Sequence, residues 1–164
     1  MKILMICFSQ TGNTRKIADC IQQGIVEQTN HCHICDLETA RQKDLSIYDL
    51  VGLGCPVFYY QEPYNVRDFL AELPLLPGKL WFLFCSHGSI IGNTFHSMTS
   101  EFKRKEVTVI GYHDTYADAW LPFYPHPTYT SGHPDEHELK AARIFGSEIV
   151  KKLMSVDPAK EMRS

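Results

Sequence analysis

Five short, nearly continuous apolar runs alternate with stretches whose apolar residues recur every three or four positions, and this alternation constrains the fold more than any other feature of the chain. The runs are KILMICF (2–8), HCHICDL (31–37), DLVGLGC (49–55), KLWFLFCS (79–86) and EVTVIGY (106–112). An apolar run without alternation is what a strand buried on both faces requires, as in a parallel sheet; the shorter, more polar second run suits a sheet edge. Ile17, Ala18, Ile21, Ile25 and Val26 predict a helix over about 13–28. Val66, Phe69, Leu70 and Leu73 predict a second, which LPLLPGK breaks, and residues 94–103 a third. Leu139, Ala142, Phe145, Ile149 and Leu153 share one face of a last helix opened by Pro134. Parallel strands need helix-sized, right-handed crossovers, so the pattern specifies an α/β, doubly wound parallel sheet with helices on both faces. At 164 residues and 44% hydrophobic, the chain has the size and composition of one domain, expected over 1–155 with a polar tail at 156–164.

In such a sheet, ligands bind outside the carboxyl ends of the strands, where strand order reverses. The loop after the first strand is SQTGNT (9–14). A strand-to-helix turn aims free backbone N–H groups and the positive end of a helix dipole at one point, which suits an anion. Ser9, Thr11 and Thr14 add hydroxyl donors, Asn13 adds an amide, and Gly12 allows close backbone approach. Three hydroxyls and several amides match the three terminal oxygens of a phosphate monoester. The lysine-bearing GxxxxGK[ST] of a triphosphate site and the GxGxxG of a dinucleotide site are both missing, and Ser89 has no GxSxG elbow.

The loop after the third strand, PVFYYQEP, carries Phe58, Tyr59 and Tyr60 in succession, rings that a flat ligand would cover. SHGSIIGN, after the fourth, has Gly88 and Gly92, as a loop would if its backbone met a ring edge-on. A phosphate tail joined to a planar heterocycle describes FMN. A hydroxyl-rich capping turn without ligand is the plainer alternative for the first loop.

Other features narrow the setting. Net charge is −3 and the basic residues are scattered apart from Lys103 to Lys105, so a nucleic-acid footprint is not expected. No segment approaches the roughly 18 apolar residues of a membrane span, and Met1 leads directly into a strand, so a soluble, cytoplasmic protein is expected. Cys7, Cys55 and Cys85 lie in apolar runs as buried hydrophobes, and Cys32 and Cys35, three apart on a strand, point to opposite faces. His133 and His137 have a metal-compatible spacing, but Pro134 lies between them and no third ligand is indicated, so no metal is expected. His87, in a loop by this reading, either makes ordinary loop hydrogen bonds or, protonated, favours a reduced ring in a pH-dependent way. The stretch 112–133, rich in aromatics and without clear period, is a lid, a subunit contact or a packed loop over the sheet edge.

On these residues the chain resembles the flavodoxin family, of the flavodoxin-like type often associated with ferredoxins. SQTGNT matches the family's phosphate loop of the form [ST]-x-T-G-x-T, YDLVGLGCPVFYYQEP resembles its third strand and flavin loop, and GHPDEHELKAARIFG resembles the start of its last helix. The resemblance implies strand order 2-1-3-4-5, noncovalent FMN and electron transfer. It implies that Ser9, Thr11, Asn13 and Thr14, with the backbone from Gln10 on, hold the phosphate. Pro56, Val57, Phe58 and Tyr59 would line the isoalloxazine, Ser86, His87, Gly88 and Ser89 would face its pyrimidine edge, and Trp120 is a candidate second ring neighbour. Partners would be redox proteins, ferredoxin-type iron–sulfur proteins among them, for a monomer or homodimer; Cys32 and Cys35 alone cannot hold a cluster. Many flavodoxins are strongly acidic, and this chain is only mildly so. Three classes stand at this point: an electron carrier, an FMN-dependent NAD(P)H:quinone-type oxidoreductase, and a flavin-free interaction module.

Overall fold

The structure, a computed structural model, describes residues 1–119, 125 and 127–156. β1 (Ile3–Cys7) leads through the first loop to α1 (Asn13–Val26), followed by β2 (Cys32–Cys35), α2 (Leu37–Arg41) and a 3₁₀ turn (Leu45–Ile47). β3 (Leu50–Pro56), α3 (Tyr64–Glu72), β4 (Leu80–His87), α4 (Thr94–Arg104), β5 (Thr108–Tyr116) and α5 (Glu136–Val156) complete the chain. The sheet is parallel throughout, as the strand pattern implies, and its order β2-β1-β3-β4-β5 is the one the resemblance implies.

Two apolar layers bury the sheet. Ile3, Met5, Phe82 and Phe84 face α1 and α5, whereas Leu4, Ile6, Leu53, Trp81 and Leu83 face α2, α3 and α4. Cys32 belongs to the first layer and Cys35 packs against the second, so the strand does send them to opposite faces, and all six cysteines are free. Among the described residues, no helix is long and apolar enough to cross a membrane.

Four expectations are corrected in detail. α2 was not expected: Asp36 ends the second strand early by accepting Thr39 N–H at 2.7 Å and capping a new helix. β4 runs one residue further, so His87 is a strand residue whose carbonyl accepts from Ala117 N–H at 3.0 Å. β5 starts at Thr108 and continues to Tyr116, taking five residues from the supposedly aperiodic segment. Tyr112, Asp114 and Tyr116 are exposed and Thr115 is buried there, the alternation of a half-covered edge strand written in polar residues. Pro134 precedes α5 instead of opening it. Asp135 and Glu138 form a reciprocal capping box, Glu138 N–H donating to Asp135 Oδ1 at 3.0 Å and Asp135 N–H to Glu138 Oε2 at 2.7 Å. The last helix reaches Val156, and the rest of the expected tail lies outside the described residues.

Candidate functional site

Sheet pairing continues just past the strand ends and brings the loops to one level. Phe8 N–H donates to Gly54 O (2.9 Å), Val57 N–H to Ser86 O (2.8 Å) and Ala117 N–H to His87 O (3.0 Å). Strand order reverses between β1 and β3, so the loops after them flank the crevice where such folds bind ligands.

The loop from Ser9 to Thr14 is built around the start of α1. Gly12 adopts φ +92, a left-handed conformation, and an added Cβ there would meet none of the described residues within 4 Å. Its glycine therefore answers a backbone requirement, with the space beside it left open. Ser9 Oγ accepts from Gly12 N–H and Arg15 N–H, each at 3.2 Å. With both lone pairs used, the Ser9 hydroxyl can act outward only as a donor. Among the described residues, the backbone N–H groups of Gln10, Thr11, Asn13 and Thr14 have no acceptor, and the first turn of α1 carries no acidic residue. This is an uncompensated positive helix end with donors to spare, the arrangement an anion requires.

Two of the loop's side chains also tie it to neighbouring strands. Thr14 Oγ1 and Ser86 Oγ are buried 2.7 Å apart, which joins α1 to the end of β4. Asn13 Nδ2 donates to Asp118 O at 3.2 Å, which joins it to the segment after β5. Ser86 thus meets Thr14 on the α1 side of the sheet. Thr11 and Gln10 are exposed and make no hydrogen bond among the described residues.

Beyond Pro56 and the half-buried Val57, Phe58 and Gln61 exchange backbone hydrogen bonds (2.9 and 3.2 Å) and close a tight turn. Its central residues, Tyr59 and Tyr60, have φ of 50 and 67. For two bulky residues this is a strained pair, at about 1–3 kcal/mol each. The tyrosines are nevertheless displayed, at 93% and 60% exposure. Tyr60 O accepts from Asn93 N–H at 2.7 Å, and Gly92, at φ +55, leaves no room for a Cβ against that carbonyl.

At the end of β4, His87 is buried, its Nε2 donating to Asp114 Oδ2 at 3.1 Å and its ring 4.8 Å from that of Tyr116. Nδ1 is buried without a partner among the described residues. Gly88 lies against Ala119, and Ser89 is exposed. Trp120 lies outside the described residues. Burial pushes the Cys7 thiol, beside the first loop, up to about 12, so it stays protonated and apolar. His133, Asp135 and Glu138 bring ligand-type atoms within 4.8 Å of one another, but both acids are engaged in capping α5.

The residues expected after β1, β3 and β4 therefore come to one end of the sheet. Sequence reasoning names Tyr60 only as one of three successive rings, and it misses Glu62, Asp114 and Asp118. The φ values and long-range bonds that implicate them have no local sequence signal, although three aromatics followed by Gln-Glu-Pro could have drawn attention to Glu62. The donor-rich turn fits a phosphate, and the open space beside Gly12 with the displayed rings fits a planar group attached to it.

Residues 4–110 match the sequence model of the flavodoxin domain. Flavodoxin 1 of Escherichia coli K12 is 37% identical over 79 residues, covering 46% of this chain and 44% of the relative. A flavodoxin of Klebsiella pneumoniae is 36% identical over 88 residues, covering 51% and 49%. The chain thus spans about half the length of the curated relatives it matches. A solved flavodoxin from the domain Archaea superposes with a TM-score of 0.71 at 19% identity, covering 93% of this chain and 99% of that one, a likeness of fold. With the matched domain taking in more than half of the residues and its start falling in β1, this chain belongs to the flavodoxin family.

Proposed function

We propose that the chain binds FMN noncovalently at the carboxyl ends of β1, β3 and β4 and carries electrons between redox proteins, iron–sulfur proteins of the ferredoxin type among them, in the cytoplasm. The observation that carries this reading is the uncompensated start of α1, with four amides that have no acceptor among the described residues, set at the same end of the sheet as a strained turn that displays two tyrosines. FMN, when bound, supplies the redox chemistry. The chain's own residues then divide the work of holding it. The amides of Gln10, Thr11, Asn13 and Thr14, with the hydroxyls of Ser9 and Thr11, replace water around the phosphate. Phe58 and Tyr59, with Pro56 and Val57, would cover the ring, and the segment from Ser86 to Ser89 would meet its polar edge. A dianionic phosphate near the ring disfavours further negative charge and lowers the potential at which electrons enter.

The test is an absorbance spectrum of the purified chain after addition of excess FMN and removal of the unbound fraction, followed by anaerobic NADH and NADPH. Retained flavin bands that neither nucleotide bleaches are expected of a carrier supplied by a protein donor. Rapid bleaching would instead assign a nucleotide-linked oxidoreductase, and loss of the bands on washing would overturn the flavin reading.

A further inference from the structure

Glu62 is a buried carboxylate that none of the contacts above uses. It follows directly on the aromatic turn, and its side chain is 1% exposed. Oε1 accepts from Arg67 Nε at 3.2 Å and from Ser97 Oγ at 2.8 Å, while Oε2 is buried without a partner among the described residues. Arg67 also donates from Nη2 to the Gln61 side-chain oxygen at 2.8 Å, and Gln61 is the residue that closes the turn on Phe58. A continuous chain of hydrogen bonds therefore runs from Ser97 on α4, through Glu62 and Arg67, to the closing residue of the turn. From the other side, Asn93 N–H holds Tyr60 O, with Gly92 packed tightly beneath.

Two unfavourable features stand side by side. A carboxylate is buried with one oxygen unmatched, which is tolerable only where charge-assisted bonds compensate. Two tyrosines are held left-handed, which persists only where the surroundings over-determine the backbone. The hydrogen-bond chain makes each the explanation of the other. We propose that Glu62 is the positioning residue of the aromatic turn: its buried charge, acting through Arg67 and Ser97, locks Phe58–Gln61 onto α4 and keeps Tyr59 and Tyr60 displayed at the mouth of the site. The proposal rests on the flavin reading for what the tyrosines meet, whereas the lock itself is a property of the ligand-free chain. Because the carboxylate adjoins the turn, removing its charge makes the site less negative and electron uptake easier.

Amide hydrogen exchange of the full ligand-free chain, followed by NMR, tests the lock in Glu62→Gln and Ser97→Ala. The Phe58, Gln61 and Asn93 amides are expected to exchange about tenfold faster in Glu62→Gln and by a smaller factor in Ser97→Ala, while β3 and β4 amides keep their rates. With FMN added, Glu62→Gln should bind about tenfold more weakly and show a higher reduction potential, and Ser97→Ala should leave the potential unchanged. Unchanged exchange at the three amides, or an equal acceleration across the sheet, would overturn the proposal in favour of a merely stabilising carboxylate. Should Glu62→Gln not fold, Arg67→Lys keeps a positive charge, loses the fork that bridges Gln61 and Glu62, and reads the same amides. If the unaltered chain retains no FMN, the flavin reading fails and the exchange data still decide the lock.

Discussion

Thr11 and Gly12 separate two requirements that meet in one turn. The Thr11 side chain is exposed and makes no hydrogen bond among the described residues, so its hydroxyl does nothing measurable for the folded chain alone. Thr11→Ala should therefore leave the urea midpoint of the ligand-free chain unchanged. It should weaken FMN by about 1.5–3 kcal/mol, or roughly tenfold to a hundredfold, because a hydrogen bond to a charged group is lost. Fluorescence quenching on titration measures this, and equal affinity would remove Thr11 from the phosphate site. Gly12 presents the opposite case. With φ at +92 and none of the described residues near an added Cβ, Gly12→Ala meets no clash among them but forces a left-handed alanine. A loss of about 1–2 kcal/mol is expected in the ligand-free chain itself, read as a lower urea midpoint at unchanged slope. Glycine's role here was legible in the sequence because the turn's residue types announce it. The left-handed tyrosines were not legible, since nothing about a Tyr-Tyr pair signals a backbone that tyrosine seldom adopts.

Between elements, α1 and α5 approach closely enough that each presents a glycine to the other's backbone. A Cβ on Gly24 would run into the Arg143 carbonyl, and one on Gly146 into the Ile21 carbonyl. Gly146→Ala should destabilise the chain by about 1–3 kcal/mol, since neither helix backbone can yield without disturbing the layer beneath, and chemical denaturation would show it. A helical glycine reads in sequence only as a weak spot; its partner lies over a hundred residues away. Apolar runs made the five strands legible for the opposite reason, because burial on both faces leaves a local, continuous signal. α2 escaped because LETAR is five residues long, too short to display a period. The far half of β5 escaped because its alternation is carried by Tyr, His, Asp and Thr. The start of α5 makes a pH-dependent prediction. The hydrogen bond with the Glu138 carboxylate, aided by the charges of Glu138 and Asp135, holds the His133 pKa above its ordinary 6.5. A raised pKa means that this pairing is fully present below 6.5 and fades as pH rises through the raised value. Asp135 is lowered, chiefly by the Glu138 N–H bond, so its cap persists at neutral pH and fails only in acid, as pH falls through its own depressed value. NMR titration should show the His133 midpoint falling back towards 6.5 in Glu138→Gln, and an unmoved midpoint would refute the pairing.

At the scale of the whole molecule, the site is assembled from ends of the sheet that meet nowhere in sequence, and among the described residues its internal ties are few. Thr14 to Ser86 and Asn13 to Asp118 are the side-chain hydrogen bonds that carry the first loop to β4 and to the segment after β5. A ligand that spans the first loop and the aromatic turn therefore adds cross-links that the empty chain lacks, and binding to the folded state alone must raise its stability by mass action. At a hundred times its dissociation constant, FMN should stabilise the fold by about 2.7 kcal/mol, which for a chain of this length is a rise in melting temperature of about 5–10 °C. Riboflavin presents the same ring without the phosphate. If the amides at the start of α1 supply the larger share of affinity, riboflavin at equal concentration should shift the melting temperature by less than half as much. Inorganic phosphate at millimolar concentration should then compete with FMN while barely affecting riboflavin. Equal shifts from FMN and riboflavin would place the affinity in the aromatic turn, and the donor-rich loop would revert to a capping turn that happens to face the crevice. A shift from FMN alone, reversed by phosphate, would mean that the loop recognises the anion first and that the tyrosines close over a ring already anchored by its tail.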